Sequence, residues 1–186
     1  GNVGTFAAKF MEEAGAKVIA TSDSKGVIYN EHGLKYDELM SVKEKTGSVT
    51  NYKPGKVLPN HEIVRINADI LITAAVPNLI GAGDVDHIKA KLIVEGSNIP
   101  MEEDVEEILH KKVVLVIPDF VANSGGVISS YVEFIGGNEQ QMWKMVEQKI
   151  RKNTKEVLDK IDDKHPRQVA MNIAKERVLA KCDFCR

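Results

Sequence analysis

The chain has 186 residues, 43% hydrophobic and 28% charged, with a formal net charge of -2, which suits one buried core or one core with an appended subdomain. A near-neutral balance without a basic stripe disfavours a nucleic-acid partner. No run approaches about 18 apolar residues and no charged start precedes an apolar stretch, so neither a membrane span nor a signal peptide is expected, and a cytoplasmic setting is the default.

Gly1-Asn2-Val3-Gly4 carries the spacing of the last two glycines of a G-x-G-x-x-G turn and leads into a helix over 5–14, with Phe6, Phe10 and Ala14 on one face. Gly15 closes that helix, residues 17–21 form a strand, and Asp23 stands 22 positions after Gly1. Glycines at such a turn let the backbone approach a pyrophosphate, and the helix start offers unpaired N–H groups. An acid about 20 residues later can take ribose hydroxyls. The first glycine of the fingerprint and its preceding strand are not among these residues, so the four alone fit a plain α/β unit equally well.

Val27-Ile28-Tyr29 lies between two turns as a hairpin-like excursion, and a helix follows over 36–45 with Leu39, Met40 and Lys43 on a half-buried face. Residues 46–59 read as loop with room for a brief strand, and Asn60 is a candidate cap for a short helix. Residues 68–75 form an unbroken apolar strand, as expected in a parallel sheet covered on both faces. A short helix over 84–89, a strand over 91–95, a helix over 101–110 with Val105, Ile108 and Leu109 inward, and a strand over 113–117 complete a parallel α/β alternation. Asn78, Asn98 and Asn123 fall at the strands' carboxyl edge, where open α/β sheets bind ligands.

After Asp119 the pattern turns helical: a small-residue loop over 120–126, then helices over 127–135, 139–163 and 167–181, with Trp143 expected to be packed. The division expected is an α/β dinucleotide-binding domain over 1–127 and a helical segment over 128–186. The five histidines are scattered without metal-ligand spacing, so no metal site is expected, and Cys182-x-x-Cys185 reads as an incidental tail. The candidate edge holds amides, serines, glycines and Asp119, groups that position a ligand. Its chemistry is therefore delegated to a cofactor or to residues elsewhere.

Five strand-end segments match a known pattern together: Gly1-Asn2-Val3-Gly4, Ser22-Asp23-Ser24-Lys25-Gly26, residues 68–75, Val94-Glu95-Gly96-Ser97-Asn98 and residues 118–127. With Ser130-Tyr131-Val132-Glu133-Phe134, they make the chain resemble the coenzyme-binding domain of glutamate dehydrogenases, within the glutamate/leucine/phenylalanine/valine dehydrogenase family. The resemblance implies a Rossmann-like parallel sheet missing its first strand, followed by C-terminal helices. It implies NAD(P)-dependent oxidative deamination of L-glutamate to 2-oxoglutarate and ammonia, in a homo-oligomer, a hexamer in that family. By the same resemblance Gly1, Asn2, Val3 and Gly4 face the pyrophosphate, Ser22 and Asp23 the adenosine ribose, and Ala75, Asn98 and Asn123 the nicotinamide end. Val127 and Ser130 match substrate-side positions. The family's catalytic lysine and aspartate belong to an N-terminal domain not among these residues, so the chain by itself is expected to lack turnover. Asp23 would repel a 2′-phosphate, which favours NAD and leaves NADP open. Ile99 departs from the family's small residue before Pro100. The alternative is a non-catalytic Rossmann-like remnant that binds or regulates a partner.

Overall fold

The computed structural model describes residues 1–161 and 165–182. Cys185 and the expected helical residues 162 and 163 lie outside that range.

Helix α1 runs Asn2–Glu13, and Gly15, at φ 86°, turns the chain back so that the N–H of Ala16 reaches the Met11 carbonyl at 2.9 Å. This left-handed helix end is glycine's ordinary use. The following strand, β1, covers Ala20–Asp23, later than residues 17–21, and it does not join a parallel sheet. It pairs antiparallel with β2 (Gly26–Tyr29), which pairs with β3 (Lys56–Leu58). Asp23 and Gly26 are opposed across a tight turn, so the local hairpin takes β2 as β1's partner. Helix α2 (Tyr36–Thr46) covers this small sheet with a core of Ile28, Leu34, Leu39, Val49 and Tyr52.

The second sheet is parallel, ordered β4 (Ile70–Thr73), β5 (Leu92–Glu95), β6 (Leu115–Ile117). Its side chains alternate as the pleat demands. Leu71, Ile93 and Val116 enter one core with Val105 and Leu109 of α3 (Glu103–Lys111), while Leu92, Val94, Leu115 and Ile117 enter another. That second core is closed by Val121 of the helical turn α4 (Asp119–Ala122), Val157 of α6 (Glu139–Asp159), and Val169, Ala170 and Ile173 of α7 (Pro166–Leu179). Helix α5 (Gly125–Phe134) joins α4 to α6.

Several expectations are corrected. Residues 84–89 form no helix; a single 3₁₀ turn, Ala82–Asp84, closes where the Asp84 carboxylate accepts from the Gly81 N–H at 3.1 Å. Asn60 is the first residue of a 3₁₀ segment, Asn60–Arg65, whose cap is Pro59. On α3 the buried third position is Glu106, whereas Ile108 is exposed. Val113, at φ 62°, belongs to the turn that ends α3, because the Val114 N–H reaches the Leu109 carbonyl at 3.0 Å, and β6 starts two residues later. Helix α5 starts at Gly125 inside the expected loop, α6 ends at Asp159, and Trp143 lies exposed with Nε1 donating to Glu139. Strand β4 is not covered on both faces: Ile70 is 38% exposed.

The reason is an open seam. β1 and β4 each have one strand neighbour, and residues 20–22 and 70–72 line the same cavity of about 580 Å³ beneath α1. Ala7, Ala8, Met11, Val18, Ile19, Ile70 and Ile72 give it an apolar lining.

One buried cluster ties the two helical layers to the sheet. Arg167 of α7 donates through Nε to Glu106 Oε1 of α3 at 2.7 Å, and through Nη2 to Glu95 Oε2 of β5 at 2.8 Å and to Asp119 Oδ1 at 3.1 Å. The Asp119 N–H also donates to Glu95 Oε2 at 2.8 Å. Burial, reinforced by the Glu106 charge and only partly offset by Arg167, pushes Glu95 up to about 8. For Asp119 burial acts upward, but N–H groups of Ile99 and Phe120 together with Arg167 outweigh it and hold the carboxyl below its usual range.

Two outcomes follow from this arrangement. Because the folded Glu95 lies above its ordinary 4.5, its contribution to stability is full below that value, declines as pH rises and is gone above about 8. Glu95→Gln, which mimics the protonated side chain, should flatten the fall in urea midpoint between pH 5 and 8; an unchanged profile contradicts the assignment. Separately, a Val/Ile-rich strand joined through a glycine turn ahead of Gly1 should enter the seam and raise unfolding free energy by roughly 2–4 kcal/mol through apolar burial. An unchanged denaturation midpoint contradicts a strand-shaped seam.

Candidate functional site

The first N–H groups of α1 have no side-chain cap: Gly1 is the cap residue, and the first intrahelical bond runs from Thr5 N–H to Gly1 O at 3.0 Å. Such a terminus carries unpaired donors and the positive end of the helix dipole. Its placement against the parallel sheet is set by Gly96. A Cβ there would lie 2.7 Å from the Thr73 carbonyl oxygen and 3.2 Å from Val3 Cγ1, so only glycine lets α1 settle over the ends of β4 and β5. Gly4 is less constrained, since a Cβ would meet Ala74 Cβ at an ordinary 3.5 Å.

Beyond the strand ends, three loops are hydrogen-bonded into one surface. Asn123 Nδ2 donates to Asn98 Oδ1 at 2.7 Å, which joins the β5 loop to the end of α4. The Asn78 N–H donates to the Ile99 carbonyl at 2.9 Å, and Ile80 N–H to Pro100 at 3.0 Å, which joins the β4 loop to the β5 loop. Asn78 and Ile99 sit at φ 53° and 45°, left-handed conformations in which a β-branched residue is strained. Ile99 is held there by its N–H donating to Asp119 Oδ2 at 3.0 Å.

The structure thus gathers some of the expected residues and leaves others apart. Gly1, Gly4, Ser22 and Ala75 line the cavity under α1, and Val3 lies close to Gly96, the glycine that precedes Ser97 and Asn98. The apolar lining of that cavity belongs to the seam between the sheets; Asn98 and Asn123 lie outside it, on the loops after the strand ends. Asn2 is exposed at the helix start. Asp23 does not line the cavity. Its carboxylate accepts from the Lys25 and Val49 N–H groups, both at 2.8 Å, and these bonds, with Ser48 and the Lys25 charge, outweigh burial and keep it below the usual carboxylate range. Val127 and Ser130 share a face of α5, with Ser130 Oγ donating to the Gly126 carbonyl at 3.2 Å; Val127, Tyr131 and Phe134 form an exposed apolar strip beside it.

Sequence reasoning missed Glu95, Glu106 and Arg167 as a unit. The signal was an acid ending each of two apolar runs, Glu95 and Asp119, because buried carboxylates demand a cation. Nothing local points to Arg167, which is 72 positions from Glu95.

Comparison with known proteins agrees with this geometry. The family model described as Glutamate/Leucine/Phenylalanine/Valine dehydrogenase matches residues 1–183. A glutamate dehydrogenase of Aeropyrum pernix is 44% identical over 96% of this chain and 46% of its own length, and an NADP-specific glutamate dehydrogenase of Saccharolobus shibatae is 40% identical over 96% and 45%. The crystal structure of the hetero-hexameric glutamate dehydrogenase from Thermus thermophilus superposes with a TM-score of 0.83 at 26% identity, covering 96% of this chain and 44% of that one. The chain therefore spans about half the length of the relatives it matches. With an uncapped helix start seated over a parallel sheet's carboxyl edge and a family match along nearly all its length, the chain belongs to the glutamate/leucine/phenylalanine/valine dehydrogenase family.

Proposed function

We propose that this chain forms the coenzyme-binding part of an NAD(P)-dependent glutamate dehydrogenase, which converts L-glutamate to 2-oxoglutarate and ammonia. The observation that carries the reading is the convergence on one edge of the free α1 N–H groups, the Gly96 close approach and the Asn98–Asn123 pair. A pyrophosphate fits the first feature, because Asn2, Val3 and Gly4 offer backbone donors at a positive helix end. Gly96 lets the β5 loop pass close against Thr73 and Val3 beside that helix start, and the Asn98 and Asn123 amides can orient a ribose or carboxamide. The coenzyme, when bound, supplies the hydride-accepting ring.

The chain's own residues bind and orient. Asp119 is committed to Ile99, Phe120 and Arg167 and is not a free base on this edge. Proton chemistry on the substrate amine falls to the rest of the enzyme, in keeping with relatives about twice this length. The exposed face of Val127 and Ser130 is where the substrate would lie, and the adjoining Tyr131 and Phe134 are where the rest of a homo-oligomeric, cytoplasmic enzyme would cover the sheet-bound helices. The boundary near residue 127 falls inside α5 (Gly125–Phe134), so a coenzyme domain and a crossing helical segment would share that helix. Asp23, ionised and next in the chain to the cavity-lining Ser22, puts a negative charge near that wall even though its carboxylate is held by the Lys25 and Val49 N–H groups, and that charge favours the unphosphorylated ribose of NAD.

Calorimetric titration of the 186-residue chain should show NADH binding more tightly than NADPH by about tenfold, the discrimination expected of one misplaced charge. No glutamate oxidation should accompany it. Absence of binding to either nucleotide overturns the coenzyme reading; NADPH preference overturns the role of Asp23; and robust turnover overturns the assignment of proton chemistry to other residues.

A further inference from the structure

We propose that Arg167, although on the far helix α7, is a positioning residue for the coenzyme edge: it holds Asp119 in the orientation that keeps the Ile99 turn and the Asn98–Asn123 pair in place. This rests on the coenzyme reading above.

Arg167 is the second residue of α7, where a cation meets the positive end of the helix dipole. Its position is explained by the three carboxylates that receive it, from β5, α3 and α4. Its guanidinium also packs over the Phe120 ring, with Cζ 5.5 Å from the centroid. The geometry leads outward from there in two steps. Asp119 uses Oδ1 for Arg167 and the Phe120 N–H, and Oδ2 for the Ile99 N–H at 3.0 Å. Ile99, in a conformation β-branched residues avoid, presents its carbonyl to Asn78, while its neighbour Asn98 accepts from Asn123. One arginine thus restrains the loops after β4, β5 and β6 together.

Removing the cation leaves Glu95, Glu106 and Asp119 crowded in a buried space. Asp119 is the least buried of the three and adjoins a loop, so it is the one able to turn away. Its departure frees Ile99 to relax to negative φ and moves the Asn98 side chain from Asn123. Lysine retains the charge but cannot offer the planar fork that serves several acceptors at once.

The test compares wild type, R167K, R167M and V169A. Val169 lies one turn or less from Arg167 on α7 and is buried in the apolar core, so its truncation loosens α7 without touching the carboxylates. With fraction folded matched by denaturation curves, calorimetry should show NADH affinity lowered about tenfold or more in R167M, by an intermediate amount in R167K, and unchanged in V169A, the scale of displaced supporting groups. Equal losses in R167M and V169A, or none in R167M, overturn the proposal. Amide exchange by NMR gives a second reading: the Ile99 N–H should exchange faster in R167M relative to core amides of α3. If the wild type binds no NADH, the coenzyme reading fails separately, and unchanged Ile99 exchange in R167M still overturns the tether. Should R167M not fold, R167K against V169A carries the same comparison, with R167K equal to wild type as the contradicting result.

Discussion

A single guanidinium facing three buried carboxylates sets the geometry of this molecule's working edge. Glu95, Glu106 and Arg167 come from a strand, a helix on one layer and a helix on the other, so their convergence joins layers that apolar packing alone could let slide. A buried ion cluster of this kind is not a strong source of net stability, because desolvation offsets most of the attraction. Deleting one member is another matter and typically costs about 3–5 kcal/mol, since a charge is left stranded. Burial together with the Glu106 charge pushes the Glu95 carboxyl up toward its neutral form, which lightens the burden of negative charge on Arg167.

Backbone approach supplies the second constraint. Gly96 lets Val3 rest against the sheet edge, and that contact places a helix start with free donors beside the Asn98 loop. Neither feature is electrostatic in origin. A methyl group at residue 96 would collide with the Thr73 carbonyl and crowd the Val3 side chain, disturbing the seat of the α1 start that carries the proposed pyrophosphate donors. The polar edge thus depends on a steric vacancy at its middle and on an ionic clamp behind it.

How much of this could be read beforehand follows from the range of each interaction. Unbroken apolar runs point to β4, β5 and β6, and the asparagines after them mark the edge, because both signals are local. β1 stands outside the parallel sheet that the α/β alternation predicts: an apolar run says that a strand exists, whereas its neighbour is chosen by a hairpin turn at Asp23–Gly26 and by which edges are available. Ile108 is expected inward because hydrophobicity ranks isoleucine so, whereas a partly buried arginine 61 residues away draws Glu106 in instead. Val113 looked like strand and is instead a helix end in left-handed conformation, a role usually left to glycine. The asparagines were located at the right edge, but their pairing of Asn98 with Asn123 depends on loop conformations that no residue pattern encodes.

On the proposed function, the sheet's carboxyl edge and the start of α1 form one coenzyme surface. A crystal structure of the chain with NADH tests it most directly. The pyrophosphate is expected against the N–H groups of Asn2, Val3 and Gly4, with the nicotinamide end beside Asn98 and Asn123. Coenzyme lodged instead in the apolar seam between Ile19 and Ile72, or against the small antiparallel sheet alone, would contradict it.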